Sequence, residues 1–541
     1  MKHILASAFA GSIATVLSAQ IGPPPQLPPV PFPPQNPITA QKAVLGKMLF
    51  WEEQMSSSDT VSCGTCHRPE SGGANLQFSI NPGLDGISPS PDDIRGTAGV
   101  VHMDAGGHFQ PSGTFGLATQ VTGRAAPSSF TSQYSPLQFW DGRSTNALVD
   151  PLTNQVVIPG GASLEAQSLG PILNSVEMAT EGRTWAQVTG KLRTAKPMAL
   201  ATNLPADVAA QLTPGTDYPE LFRRAFGDTA ITPVRIALAL ATYERTLVPN
   251  QTPYDAFAAG NPNALTPSQQ QGFGAFNQSG CAVCHTPPFF TDHSFRNLGV
   301  RPIAEDNGRQ AITGNPGDAG RFKVPSLRGT GLKRTWMHNG NFTGLNQVLD
   351  FYAHIIPNFP GNNDPAFLNV RVPPQARPVI DDFIRNALTD PRIAQRLPPF
   401  DRPTLRTERP QAQHIGLASP GTGGFLPRLI DVQPAFPGAV DFRIGLMGAM
   451  GNSAAMIAVS PFQASYPLPV PVGVDLGAAI LEFAVTDGAG PGTGYATWMW
   501  SLPDIAALVG TPIFAQGFVL DPGSPTMGIA ATQVSRIVIG N

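Results

Sequence analysis

Two short motifs constrain this chain more than any other feature: Cys63-Gly64-Thr65-Cys66-His67 and Cys281-Ala282-Val283-Cys284-His285. Together they use all four cysteines of the 541 residues. Each is a C-x-x-C-H run. At that spacing two thiols can form thioether bonds to one edge of a porphyrin, and the next histidine reaches the iron. Local disulfides or a Cys/His zinc site would draw on the same residue types, but the repeated motif favours haem. The sequence therefore predicts two covalently attached c-type haems, with His67 and His285 as proximal ligands. The other face of each iron decides its role: a second strong protein ligand suits electron transfer, and an open position suits reaction chemistry.

The surrounding composition narrows the class further. The chain has 34 basic and 37 acidic residues, a net charge of −3. That balance offers no electrostatic footprint for nucleic acid or an anionic membrane. Only 13% of residues are charged, with 56 Gly and 57 Pro, so a loop-rich fold is expected. An apolar fraction of 41% argues against general disorder. Lys2 and His3 precede an apolar run from Ile4 to Leu17, and small residues follow at Ser18-Ala19. This reads as a signal peptide over 1–19, cleaved before Gln20. No later stretch is apolar for the ~18 residues that a spanning helix needs. The mature protein is expected to be exported, periplasmic or extracellular.

Along the chain, the Pro-rich stretch 20–37 reads as an extended linker. Residues 38–54 read as a helix with Thr39 as N-cap and Val44, Leu45, Met48 and Leu49 as its apolar stripe. The first haem motif follows. Residues 79–120, rich in Gly, Pro, Ser and Asp, read as a long surface loop. Helices are predicted near 231–247 and 266–278, the second starting at Thr266-Pro267, and again at 344–355 and 375–388. A helix running into C-x-x-C-H thus occurs twice, an internal duplication. The expected domains are 38–225 with the first haem and 226–404 with the second. Past about residue 405, short Val/Ile/Phe/Ala runs alternate with Gly/Pro turns. This predicts a β-sandwich-like accessory domain over 405–541, read as a packing or surface-binding module. The fold class is therefore two mainly α, loop-rich cytochrome c modules plus a β-rich C-terminus.

Several landmarks between 39 and about 390 resemble the bacterial di-haem cytochrome c peroxidases and their relative MauG. In order they are LGKMLFWEEQMSSSDTVSCGTCH, GRAAPSSF, QFWDGR and LEAQSLGPILNSVEM, then FKVPSLRG and WMHNGNFTGLNQVLDFY after the second haem motif. The resemblance implies a peroxide-reducing front end at the first haem. It assigns Trp140 as an indole relay between the haems. It makes Glu177 the carboxyl that moves a proton from the near to the far peroxide oxygen. Gln167 becomes a neighbouring hydrogen-bonding group.

The sequence departs from the family pattern at three places. Many members carry a distal histidine before the GRAAP-type segment, and the corresponding position here is near Leu117. His102 and His108 lie in the preceding insertion and are the substitutes to consider; without them the first iron is open, as in MauG. At the second haem, many members use a methionine, whereas the position 14 residues after His338 is Tyr352. Tyr352 is the expected ligand, with Met337 and His354 as competitors. A phenolate there would favour oxidised iron. The family also holds a calcium ion between its haem domains. Here the asparagine that binds it is replaced by Ala125, and the carbonyl positions fall near Lys333 and Thr335. A lysine ammonium could replace the cation's charge, which counts against calcium.

The leading expectation is a hydrogen peroxide-dependent di-haem oxidoreductase, supplied with electrons by a small redox protein or a protein substrate. The alternatives are a purely electron-transferring di-haem cytochrome, and a haem-based oxygenase acting on dioxygen.

Overall fold

A computed structural model describes residues 24–354, 358–409, 412–466 and 469–540. The expected signal peptide and the first residues of the Pro-rich stretch lie outside these. Helix makes up 28% of the chain and strand 18%, so the whole is mixed rather than mainly α.

The two haem motifs sit in two helical modules built on one plan. In the first, α1 (Ala40–Trp51) is capped by Thr39, whose hydroxyl accepts from the Lys42 amide. Further along, α2 (Ser163–Ser168) and α3 (Pro233–Glu244) complete the module. Where α1 crosses α3, Gly46 lies so close that an added Cβ would stand 1.9 Å from the Ala239 carbonyl oxygen. The second module repeats this with α4 (Pro267–Gln278), capped by Thr266, and α6 (Arg377–Asp382), with α5 (Leu345–Ala353) between them in sequence. A Cβ on Gly272 of α4 would meet the Val379 carbonyl oxygen of α6 at 2.1 Å. The helix entering each haem motif therefore carries a glycine at its crossing with the last helix of its module, because only a bare backbone lets the axes approach so closely.

This pairing packs α3, which follows the expected boundary at 225/226, against α1. Ile236, Leu240 and Tyr243 of α3 are buried in the first core, and Tyr243 accepts from the Trp51 indole at 3.2 Å. Leu247 is also buried in this core. Phe400 and Leu405 also return to it.

Residues 79–120 are not simply a surface loop. They form two small ladders, β1 (Ser79–Asn81) with β2 (Ile94–Gly96), and β3 (Ala98–Val101) with β4 (Thr119–Val121). Val100, Val101, Met103 and Phe109 are buried in the first core. The described part of the Pro-rich stretch lies along the body: Pro28 and Pro31 carbonyls accept from Tyr134 and Arg245, and Asn36 is fully buried.

The C-terminal strands are β5 (Ala412–Ile415), β6 (Arg428–Ile430), β7 (Phe442–Ala449), β8 (Ala454–Ser460), β9 (Ile480–Val485), β10 (Gly494–Trp500), β11 (Pro512–Leu520), β12 (Ile529–Ala531) and β13 (Val534–Val538). They make two antiparallel sheets, ordered β6-β7-β10 and β9-β8-β11-β13-β5, with β12 beside β11. Phe442, Ile444 and Leu446 of one sheet face Ile457, Ala515 and Val519 of the other in a shared core, the alternation expected of a sandwich. The sandwich is bonded to the first haem module. Gln433 donates to buried Asp59 at 3.1 Å, Phe109 donates to Thr497 at 2.9 Å, and Glu53 accepts from the Arg406 and Thr407 amides.

Candidate functional site

Each haem motif builds the same floor. Cys63–Cys66 is a single helical turn, and Gly64 packs so flat on Trp51 that a Cβ would stand 2.2 Å from the indole ring. His67 follows, with Nδ1 3.1 Å from the Gly73 carbonyl oxygen. A carbonyl only accepts, so Nδ1 must carry the proton and Nε2 keeps its lone pair. Gly72 and Gly73 hold φ of 63° and 73°, the left-handed turn that brings this carbonyl back. His285 does the same with the Phe290 carbonyl oxygen, also at 3.1 Å. The carbonyls of Pro127 and Pro325 lie at corresponding places beside His67 and His285. Burial lowers both imidazole pKa values, so both rings are held neutral, the form that binds metal.

None of the four cysteines is paired in a disulfide. Among the described residues, no three His, Cys, Asp or Glu side chains are grouped to hold a metal ion by themselves. Two thiols and a neutral imidazole with a committed Nδ1 line one cavity, and the same set lines the other. That donor set fits a covalently bound haem in each.

The first cavity, about 570 Å³, is lined on its other walls by Gln167, Glu177, Arg143 and Phe115. Gln167 sits at the end of α2. Glu165 of the same helix accepts from both Arg245 guanidinium nitrogens at 2.7 and 3.0 Å and from Asn36 at 2.8 Å, which fixes the helix. Glu177 lies on a turn held by Asn174, whose side-chain oxygen accepts from the Val176 and Glu177 amides. Gly99 packs against the Val176 carbonyl from behind. Burial raises the Glu177 carboxyl pKa, opposed by the positive charge of Arg143.

Neither His102 nor His108 lines this cavity. His102 sits between the Gln110 carbonyl and Glu181, and His108 pairs with Asp104. The segment carrying them is turned toward the β-sandwich by Phe109 and by Gln110, which accepts from Tyr495 at 3.0 Å. Leu117 packs at the margin of the first core, and Phe115 lines the cavity.

Trp140 is buried and lines both cavities; its indole N–H donates to the Ala125 carbonyl at 2.8 Å. Tyr352 and Met337 both line the second, narrower cavity, about 160 Å³. Burial pushes the Tyr352 phenol pKa upward. His354 is exposed, with Nδ1 on the Asp350 carbonyl, and does not line it. His338 is stacked on Phe322 at 3.6 Å, and burial lowers its pKa to about 4.

A sequence profile of the di-haem cytochrome c peroxidase family matches residues 40–263. The chain is 31% identical over 329 residues to the methylamine utilization protein MauG of Methylorubrum extorquens, covering 60% of this chain and 71% of that one. It is 29% identical over 334 residues to a cytochrome c551 peroxidase of Nitrosomonas europaea, covering 61% and 78%. This chain belongs to the di-haem cytochrome c peroxidase/MauG family. As a family member it is a peroxide-dependent oxidoreductase with two covalently bound c-type haems. A solved MauG-like protein associated with microbial copper homeostasis superposes with a TM-score of 0.48 at 22% identity, covering 70% of this chain and 97% of that chain.

Some lining residues of this peroxidase were not singled out from sequence. Arg143 belongs to the QFWDGR landmark and stacks on Phe139 at 3.6 Å. Glu244 lines the first cavity with one oxygen unpartnered, and burial raises its pKa to about 8. An acid inside the apolar run ALALATYE of α3 was its only sequence signal.

Proposed function

We propose that peroxide is cleaved in the first cavity, on the face opposite His67, with Glu177 as the proton carrier and Gln167 as the orienting group. The observation that supports this is their meeting in the cavity of Cys63, Cys66 and His67 while His102 and His108 stay outside it. When bound there, the haem supplies the electrons that reduce the O–O bond. Ionised Glu177 takes the proton of the near oxygen and returns it to the far oxygen, which leaves as water. A carboxyl with a raised pKa suits both halves of that transfer. The Gln167 amide, donor and acceptor at once, hydrogen-bonds the peroxide and sets its direction. The phenyl ring of Phe115 keeps a second side-chain ligand out.

Trp140 is the relay between the two sites, since its indole forms part of both linings. Tyr352 is the second protein ligand of the second haem, ahead of Met337. An open first site beside a tyrosine-ligated second site places this enzyme nearer to MauG than to a peroxidase that needs prior reduction. The electron donor is a small redox protein or a protein substrate. The site of action is an exported compartment; among the described residues no helix is long and apolar enough to cross a membrane.

The test is optical and EPR spectroscopy of the ferric protein before and after one equivalent of hydrogen peroxide. A high-spin signal beside a low-spin one, with a rapid peroxide response lost in Glu177→Gln, is expected. Two low-spin haems that ignore peroxide even after half-reduction would overturn the reading and leave an electron carrier.

A further inference from the structure

The wall between the two haem sites contains a cation that no described residue neutralises. Lys333 follows the turn Thr330–Leu332 and lines the second cavity. Its stem lies against the other module: a Cβ on Gly72 would stand 3.2 Å from Lys333 Cγ. Gly72 precedes Gly73, whose carbonyl holds His67. The charge of Lys333 reaches the first site, where it helps lower the His67 pKa. Lys333 thus lines the second site and acts electrostatically on the first.

Other cations lining that cavity have partners. Arg296 is paired with Asp292 and Asp364, and Arg301 with Glu305. Lys323 donates to Ser135 Oγ at 3.2 Å and to the Leu137 carbonyl at 2.9 Å. Lys333 has no ion pair and no side-chain hydrogen bond among the described residues. Burial alone lowers its pKa to about 8. A buried charge without a partner is among the costliest features a fold can hold, so its persistence calls for an anion. The cofactor supplies one: each haem carries two propionate carboxylates.

We propose that Lys333 is the internal countercharge for a haem propionate at the wall between the two sites, fixing the edge of that haem and raising its reduction potential. An ammonium beside the porphyrin offsets the negative charge added on reduction, so the reduced state is favoured. The inference needs both haems but not the peroxide chemistry, so it stands or falls separately from the roles of Glu177 and Gln167.

The experiment is a spectroelectrochemical titration of Lys333→Met and Lys333→Arg, each confirmed to carry two haems. Lys333→Met should lower at least one midpoint potential by about 59 mV, a tenfold change in a one-electron equilibrium, and Lys333→Arg should restore most of it. Less than a twofold change in both equilibria in Lys333→Met would overturn the assignment. So would a wild-type potential that follows added chloride or phosphate and loses that dependence in Lys333→Met, since the partner would then be a diffusible anion. Should Lys333→Met fail to load haem, a crystal structure of the haem-loaded wild type decides. Nζ about 3 Å from a propionate oxygen supports the proposal, and Nζ bonded elsewhere refutes it.

Discussion

The two haem modules share a floor and differ in their walls. Both have a helix whose glycine meets a partner helix, a C-x-x-C-H turn, a histidine with Nδ1 on a carbonyl at 3.1 Å, and a proline carbonyl beside it. Attachment chemistry alone would make them equivalent. The cavity of His67, about 570 Å³, is also lined by a carboxyl, an amide and a phenyl ring. The wall of the second, of about 160 Å³, holds Tyr352 and Met337. On the proposed function, the first wall would serve proton transfer and the second would supply an iron ligand. A duplicated fold can thus divide labour by changing a few side chains far from the motif that was duplicated.

The most drastic way to break the comparison is to remove one half of it. Cys281→Ser combined with Cys284→Ser should halve the haem content, measured by pyridine haemochrome, and leave the first site still responsive to peroxide. Next in size, Glu177→Gln should slow the peroxide reaction about 10²- to 10⁴-fold, the range typical of a lost general acid–base, in stopped-flow absorbance. The proximal ligand and the spin state of the resting protein should be unchanged. Tyr352→Phe should convert the second haem alone to high spin in EPR, whereas Met337→Leu should not; the reverse outcome would exchange the two ligand assignments. Trp140→Phe should slow sharing of oxidising equivalents between the haems while leaving the first peroxide step intact. It should also cost about 1 kcal/mol of stability for the lost bond to Ala125.

The smallest effect concerns Glu244. Its folded pKa, about 8, lies above the usual carboxyl value, so between about pH 4.3 and about 8 the folded state binds a proton that the unfolded state has released. Stability contributed by this group is complete below that window and declines as pH rises through it. Glu244→Gln should remove the decline, so its Tm relative to wild type should grow from pH 5 to pH 8. A constant difference would show that Glu244 is ionised throughout.

Elements with local signals were legible in the sequence. Thr266-Pro267 marks the start of α4 to the residue, because an N-cap hydroxyl and a proline at the first helical position need no tertiary partner. Alternating apolar runs likewise gave the sandwich. Segment 79–120 was misread, since its buried Val100, Val101, Met103 and Phe109 show no period and are covered by distant chain such as Thr497. The packing of α3 was hidden for a similar reason: it lies against a helix almost 200 residues earlier, and only their close crossing at Gly46 reveals it.

By itself the sequence determined what is covalent and what is local: two haem attachments, the capped helices and the family. These follow from adjacent residues, whose geometry the chain fixes without help. Only the tertiary structure decided which side chains share a cavity. It gathered Glu177 and Gln167 into the cavity of His67, turned His102 and His108 toward the sandwich, put Trp140 in both linings and left Lys333 without a partner among the described residues. Those outcomes depend on how buried apolar surfaces and close backbone contacts bring separated segments together, a balance that residue spacing does not record.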